Sequence, residues 1–428
     1  LKPAVPSATV NSLSKLGAGW AVMTARLHNI ARAFIVFLLT SGGASVTLAQ
    51  APAVTLPPPE ISFGNPRFRE ATESAEVFDL QFPSALASPW DENNVVPIRA
   101  FFPTQRLRRA PVVILLHFWG ASDGRVEQSF AEELNRRGIG AVLMALPYHL
   151  GRTPAGFRSG ELAVRPDVRS LVETMTQSVL DVRRTIDWIQ TRPEFDPQKI
   201  GISGTSLGGI VASLAFNIDP RLQTASFMLA GVDLAKILWN SSRVVSQRET
   251  LRRQGYTEDR LRQELAEIEP TRYASPREDR RTYVIAARFD TIIPKQSTES
   301  LIAMLQSPEV LWLDTGHVGG FLVERAVWQS AAKFFEAVFE ARPFSAPQRF
   351  FSPTIRVGIQ ANGDHGLQIA AGIDLWRSNR AGDGFASALI TPRGPQGFIG
   401  YRVTRGLSVG VSVTTKKTTW GVFWNLVL

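Results

Sequence analysis

The 428-residue sequence contains no cysteine. That excludes a disulfide framework, a thiolate zinc site, a cysteine nucleophile and an iron–sulfur cluster. It does not argue against export, because a domain of this size needs no covalent staple. Charge is also sparse. Only 20% of residues are Asp, Glu, Lys or Arg, against 44% hydrophobic, which suits a large core and not a disordered chain. Lys and Arg total 47 against 38 acids, but the resulting +9 is unevenly placed. Residues 1–50 carry Lys2, Lys15, Arg26 and Arg32 with no acid, and residues 345–428 carry nine bases and three acids, so residues 51–344 sum to −1. A neutral body offers no electrostatic footprint for nucleic acid. Nothing resembles a phosphate-binding P-loop, a dinucleotide fingerprint or a metal-binding HExxH helix, so no cofactor and no metal are expected.

The N-terminal region reads as a leader. An acid-free basic stretch starts at Met23, an apolar run follows over Ala33–Thr40, and small residues lead to Ala49, the expected cleavage point. The apolar run is short for a membrane-spanning helix, although an uncleaved anchor is the alternative. Residues 1–22 precede this grammar and read as an over-extended reading frame. Export to the periplasm, the outer membrane or the medium is the expectation. Residues 51–70, with Pro52, Pro57, Pro58 and Pro59 at their start, read as an extended linker.

From residue 71 to 344 strand and helix patterns alternate. Pro111–His117 and Ile139–Leu146 are continuous apolar runs, as expected of strands buried on both faces of a parallel sheet. Val168–Ile189 places Leu171, Met175, Val179, Val182 and Ile186 at helical spacing. Short strands are expected at Phe78–Phe82, Val95–Phe102, Lys199–Ser203, Ala225–Ala230, Tyr283–Ala287 and Val310–Leu313, with helices at Val126–Arg137, Leu207–Ile218 and Phe321–Ala341. The class is therefore α/β, a mainly parallel sheet flanked by helices. Residues 234–280, rich in Arg and Glu with helical spacing, read as a cap inserted between two strands.

The chemistry concentrates in Gly204-Thr-Ser206-Leu-Gly208, a G-x-S-x-G between an expected strand and an expected helix. A sharp strand-to-helix turn lifts the serine hydroxyl clear of the sheet, and glycines avoid collisions around it. The helix start also supplies free N–H groups. A serine needs a base. Of five histidines, His28 lies in the leader, His365 in the tail, and His117 and His149 precede the serine. His317 follows the last strand in a Gly-flanked loop and is the expected base. The orienting acid is expected to be Asp290, after the strand Tyr283–Ala287, with Asp233 as the alternative; Asp314 stands too near His317 in sequence to reach its ring.

The order Ser206, Asp290, His317 on such a sheet resembles the α/β-hydrolase family over about residues 75–342, in particular its dienelactone-hydrolase-like and acetyl-esterase-like members. Asp196-Pro-Gln-Lys-Ile-Gly is similar to their approach to the nucleophile strand, Phe289-Asp290-Thr-Ile-Ile-Pro294 to their acid turn, and His117-Phe-Trp-Gly120 to their oxyanion loop, with Phe118 where glycine is usual. The resemblance implies an α/β-hydrolase fold and acyl transfer through Ser206. It also implies an oxyanion hole made by the N–H of Leu207 and one from the loop, Trp119 or else Phe118. His117 is then structural.

The expected activity is that of a secreted serine hydrolase cleaving carboxylic esters of small molecules, lipids or glycans through an acyl-enzyme. A serine peptidase or lipase of the same fold is an alternative, as is a non-catalytic envelope protein on a hydrolase scaffold. Arg152, Arg158 and Arg165 sit in one long loop and are expected to be solvated.

The tail, residues 345–428, switches to period two. Ile355, Val357 and Ile359 open it, and Trp420, Val422, Trp424 and Leu426 close it, with turn signals between five or six antiparallel strands. Alternating strands ending in tryptophans suggest an outer-membrane barrel. Six strands are too few for a closed single-chain barrel by the usual minimum of about eight, so a soluble β-meander is the expectation. A membrane-associated or self-associating sheet is the alternative.

Overall fold

A computed structural model describes residues 51–105, 109–274, 279–348, 350, 354–363, 366–378, 384–404 and 406–427. The expected leader, His28 and His365 lie outside the described residues.

The body is built on a nine-stranded sheet in the order β1-β2-β3-β5-β4-β6-β7-β8-β9. The strands are β1 (Arg67–Ala71), β2 (Ala75–Pro83), β3 (Val95–Pro103), β4 (Ala110–Leu116), β5 (Gly140–Met144), β6 (Phe195–Thr205), β7 (Leu222–Met228), β8 (Thr282–Ala287) and β9 (Glu309–Leu313). β1, β2 and β3 run antiparallel, β3 meets β5 antiparallel, and every pairing from β5 through β4 to β9 is parallel. Val112 to Leu116 are buried without alternation because both sheet faces are covered. On one face α2 (Val168–Gln190) and α3 (Leu207–Ile218) pack Val179, Ile186 and Val211 into the larger core. On the other face α1 (Arg125–Asn135) and α8 (Glu324–Phe339) pack Phe130, Leu134, Phe334 and Phe335. This is the α/β-hydrolase architecture expected from the sequence.

Between β7 and β8 lies a helical insertion: α4 (Leu234–Asn240), α5 (Val245–Arg253), α6 (Glu258–Glu264) and two 3-10 turns. Its polar residues face out, while Leu251, Leu261, Leu265 and Ile268 join the core. A helix absent from the sequence reading, α7 (Lys295–Met304), follows Pro294. The proline-rich stretch does not behave as a free linker. Ala53–Thr55 forms a 3-10 turn whose Val54 is buried in the core, and Arg183 donates to the carbonyl of Thr55 at 3.0 Å. Residues 67–71 add β1, whose five residues are all exposed, so the strand left no apolar alternation to read.

The tail forms a closed barrel, β10-β11-β12-β13-β14-β15, in which β15 pairs with β10. Its strands are β10 (Ile355–Asn362), β11 (Gly366–Arg377), β12 (Gly384–Thr391), β13 (Gly394–Thr404), β14 (Leu407–Val413) and β15 (Thr418–Val427). The expectation of an unclosed sheet is therefore corrected. Closure at six strands needs inward positions without side chains. At Gly358 an added Cβ would lie 1.9 Å from the carbonyl oxygen of Trp424, and at Gly372 1.9 Å from that of Ala388. These glycines let neighbouring strands curve tightly together. Among the described residues, no helix is long and apolar enough to cross a membrane.

Candidate active site

Ser206 sits at the turn between β6 and α3 with φ 55° and ψ −115°, a conformation that side-chain-bearing residues rarely adopt. Its N–H donates to the carbonyl of Met228 at 2.8 Å, and its own carbonyl accepts from Ile210 at 3.0 Å. The flanking glycines are required by space. A Cβ at Gly204 would lie 2.1 Å from the Gly208 oxygen, and one at Gly208 2.3 Å from the Leu116 oxygen. The packing that makes the turn sharp thus leaves room for hydrogen alone at these two positions.

His317 reaches the serine from the loop after β9. Its Nε2 lies 2.9 Å from Ser206 Oγ, and its Nδ1 lies 2.6 Å from Asp290 Oδ2. The other carboxylate oxygen of Asp290 accepts from the N–H groups of Ile292 and Ile293, each at 2.8 Å. In the tautomer with its proton on Nδ1, His317 donates to Asp290 and accepts at Nε2 from the Ser206 hydroxyl. Asp290 and Ser206 are buried, and the His317 side chain retains 11% exposure. The structure thus brings Ser206, His317 and Asp290 into one hydrogen-bonded chain. Asp233 is elsewhere: it caps α4 by accepting from Lys236 and pairs with Arg262. Asp314 pairs with Arg288 at 2.7 Å.

Ser206 opens on a cavity of about 110 Å³. Leu207 and Trp119 line it, as do Met175 from α2, Ile237 and Leu238 from the cap, and Ile293 from the acid loop. Arg243 is the one charged residue among the described lining residues, and its guanidinium stacks 5.2 Å over the Trp119 ring. Phe118 turns away; its ring packs edge-on against Phe321 at 5.5 Å.

His117 does not touch the serine. Its Nε2 accepts from the Leu146 N–H at 3.0 Å and its Nδ1 faces the Phe118 carbonyl at 2.9 Å, so it pins the Phe118–Gly120 loop to the end of β5. Burial, with the neighbouring His149 and Arg152, pushes its pKa down to about 3, and burial pushes His149 down to about 4. Both rings are neutral at physiological pH.

Two residues of consequence escaped the sequence reading. Arg152 is not solvated but fully buried, paired with Asp181 at 2.8 Å and donating to the carbonyls of Asn93 and Ala145. It fixes the loop after β5, in which the Gly160 carbonyl accepts from the Trp119 indole at 2.7 Å. Nothing local distinguishes Arg152 from the other loop arginines, because Asp181 lies on α2. Arg243 is similarly one arginine among many in the cap. No cluster of His, Asp and Glu among the described residues is arranged to hold a metal ion.

The sequence profile of the X-Pro dipeptidyl-peptidase (S15) family matches residues 99–314. An uncharacterized protein of Mycobacterium tuberculosis is 29% identical over 192 residues, 43% of this chain and 43% of that protein. The chain thus spans less than half the length of the curated relatives that it matches. Among solved structures, an acetyl xylan esterase from Paenibacillus sp. R4 superposes with a TM-score of 0.52 at 20% identity, covering 67% of this chain and 92% of the esterase. Acetyl xylan esterase 1 from Thermoanaerobacterium sp. gives a TM-score of 0.52 at 16% identity, covering 65% of this chain and 89% of that one. These likenesses concern the fold. The family match, over half of the chain and across β3 to the end of β9, shows that the chain belongs to the X-Pro dipeptidyl-peptidase (S15) family of α/β serine hydrolases.

Proposed function

We propose that this protein hydrolyses carboxylic esters with Ser206 as nucleophile, His317 as general base and acid, and Asp290 as the group that orients His317. Ser206 Oγ attacks the ester carbonyl while its proton passes to His317 Nε2. The oxyanion is stabilised by the N–H of Leu207 and one from the Phe118–Trp119 loop, donors typically worth about 3 kcal/mol each. Collapse of the tetrahedral species releases the alcohol, which takes its proton from His317. Water deprotonated by His317 then attacks the acyl-serine, and collapse of the second tetrahedral species releases the carboxylic acid as His317 returns the proton to Ser206 Oγ. Ile237 and Leu238 of the cap wall the cavity and limit the access of bulk water to the reacting atoms.

The observation that carries the ester reading is the lining of the cavity beside Ser206. It is apolar, about 110 Å³, and the described lining residues include no Asp or Glu. A dipeptidyl-peptidase must hold the free ammonium of its peptide, and a buried ammonium without a carboxylate partner costs several kcal/mol. A small uncharged acyl group meets no such cost. Arg243, at the same wall, suits a substrate carrying a carboxylate or another anionic group.

The test compares kcat/KM on p-nitrophenyl esters of rising acyl length with that on Ala-Pro-p-nitroanilide. The expected result is ester turnover favouring short acyl chains and weak turnover of the anilide. Preferential cleavage of the anilide would overturn the ester reading in favour of the peptidase. No turnover by demonstrably folded protein would favour the binding-protein alternative.

A further inference from the structure

The barrel departs from the usual order of a water-soluble protein: its outer face is apolar, and charged and amide side chains share its interior with a small aromatic cluster. One outward side chain from each strand makes the point: Ile359, Ile369, Ile390, Ile399, Val409 and Leu426 are 41% to 73% exposed. The strands hold four charged residues, Arg356, Asp374, Arg377 and Arg402, and none stands on the outer face. Arg356 and Asp374 are buried inside as an ion pair at 2.7 Å, joined by Asn425 and Ser387. Gln360 donates to Ser412 at 2.7 Å and accepts from Gln368 at 3.1 Å, also inside. Water would oppose the apolar outer face and the buried ion pair, since it favours apolar surface turned inward and charge turned outward.

We propose that the barrel is seated in the hydrocarbon of a lipid bilayer, with the α/β body held at one of its ends. Three features select lipid over a second copy of the chain. The apolar outer positions occur on all six strands, whereas a partner protein would cover one side. The strands run from 7 to 12 residues, and β11, β13 and β15, at 12, 11 and 10 residues, reach the roughly 9–11 needed to cross a bilayer at a tilt of about 45°. Large aromatic side chains stand near both ends, Trp420 beside the distal turn and Trp376 and Tyr401 at the other, where interfacial rings are favoured. The distal turns carry Arg393, Lys416 and Lys417, which suit phosphate head groups.

The opposite end meets the body. Arg377 stacks 3.5 Å over the ring of Phe289, the residue before Asp290, and Thr354 donates to the carbonyl of Asp314. The interior is filled by Phe385, Phe398 and Phe423, so the barrel anchors and does not conduct. Six strands are fewer than the eight of the smallest usual membrane barrels, and the inward glycines are what permit it.

The absence of cysteine makes the test clean. Full-length Ile369→Cys and Ile390→Cys are labelled with an environment-sensitive fluorophore and reconstituted with phosphatidylcholine–phosphatidylglycerol vesicles. Glu173→Cys, on the exposed side of α2, is the control. Circular dichroism of each variant checks that the sheet is formed. The expected result is flotation with the vesicles after an alkaline carbonate wash, loss of most fluorescence at 369 and 390 on bromination of the acyl chains, and no change at 173. Folded monomer left in the aqueous fraction would overturn the proposal. So would an aqueous oligomer whose labels at 369 and 390 are shielded, which would make a second copy the occupant.

Discussion

In the body, Val112, Val113 and Ile114 disappear between two helical layers, whereas in the barrel Ile369 and Ile390 face outward and Arg356 and Gln360 lie within. Both regions spend similar residues on similar strands. The difference lies in what covers the apolar face. In the body it is covered by helices supplied by the same chain, so the strands need no alternation. In the barrel no segment among the described residues covers it, so alternation sorts residues into two faces without saying which is inward. Ser206, Asp290 and His317, the proposed catalytic groups, follow the body's strands β6, β8 and β9 in the chain, and none of the three comes from the barrel.

The largest expected effect separates the regions by chemistry. Ser206→Ala should lower kcat on esters by about 100,000-fold or more while leaving thermal unfolding and the barrel unchanged. A fall of tenfold or less would mean that the serine is not the nucleophile. Next, Arg152→Met strands Asp181 without its buried partner and should destabilise the body by about 3–5 kcal/mol, measured by chemical denaturation. The Trp119 wall should loosen with it, visible as a raised KM on esters.

A third test uses pH. Glu127 is buried in the first turn of α1, and burial, with Glu324 and Asp123 nearby, pushes its carboxyl up to about 8. The folded state therefore holds a proton that the unfolded state has released. Between about pH 4.5 and 8 stability should fall as pH rises, by about 1.4 kcal/mol per unit at most from this group. Glu127→Gln should flatten that slope and raise the melting temperature at neutral pH. An unchanged slope would show that Glu127 ionises freely. The smallest effect addresses closure. Gly372→Ala forces a Cβ toward the Ala388 carbonyl and should weaken the barrel by about 1–3 kcal/mol, with ester turnover unchanged. Parallel loss of turnover would show that the two regions are not separable.

Much of the site was legible because its signals are local. G-x-S-x-G works only as a tight turn, and the two glycines beside Ser206 have no space for a methyl group. His317 followed from having few histidines to choose among, and Asp290 from its strand-end position; Asp233 fitted the same description until its capping role was seen. Arg152, and the anchoring of Trp119 by its indole, were harder. Their importance comes from partners on other elements, Asp181 and Gly160, which sequence spacing does not bring together. Barrel closure is not legible from strand number alone, because it depends on inward glycines such as Gly358 and Gly372. β1 was missed because an exposed edge strand carries no hydrophobic period.

The most direct measurement is covalent labelling with a fluorophosphonate, read by intact mass and peptide mapping on the parent, His317→Ala and Ser206→Ala chains. The account predicts one adduct per parent chain, located on Ser206, strongly slowed without His317 and absent without Ser206. An adduct on another residue, or equal labelling of the Ser206→Ala chain, would contradict it.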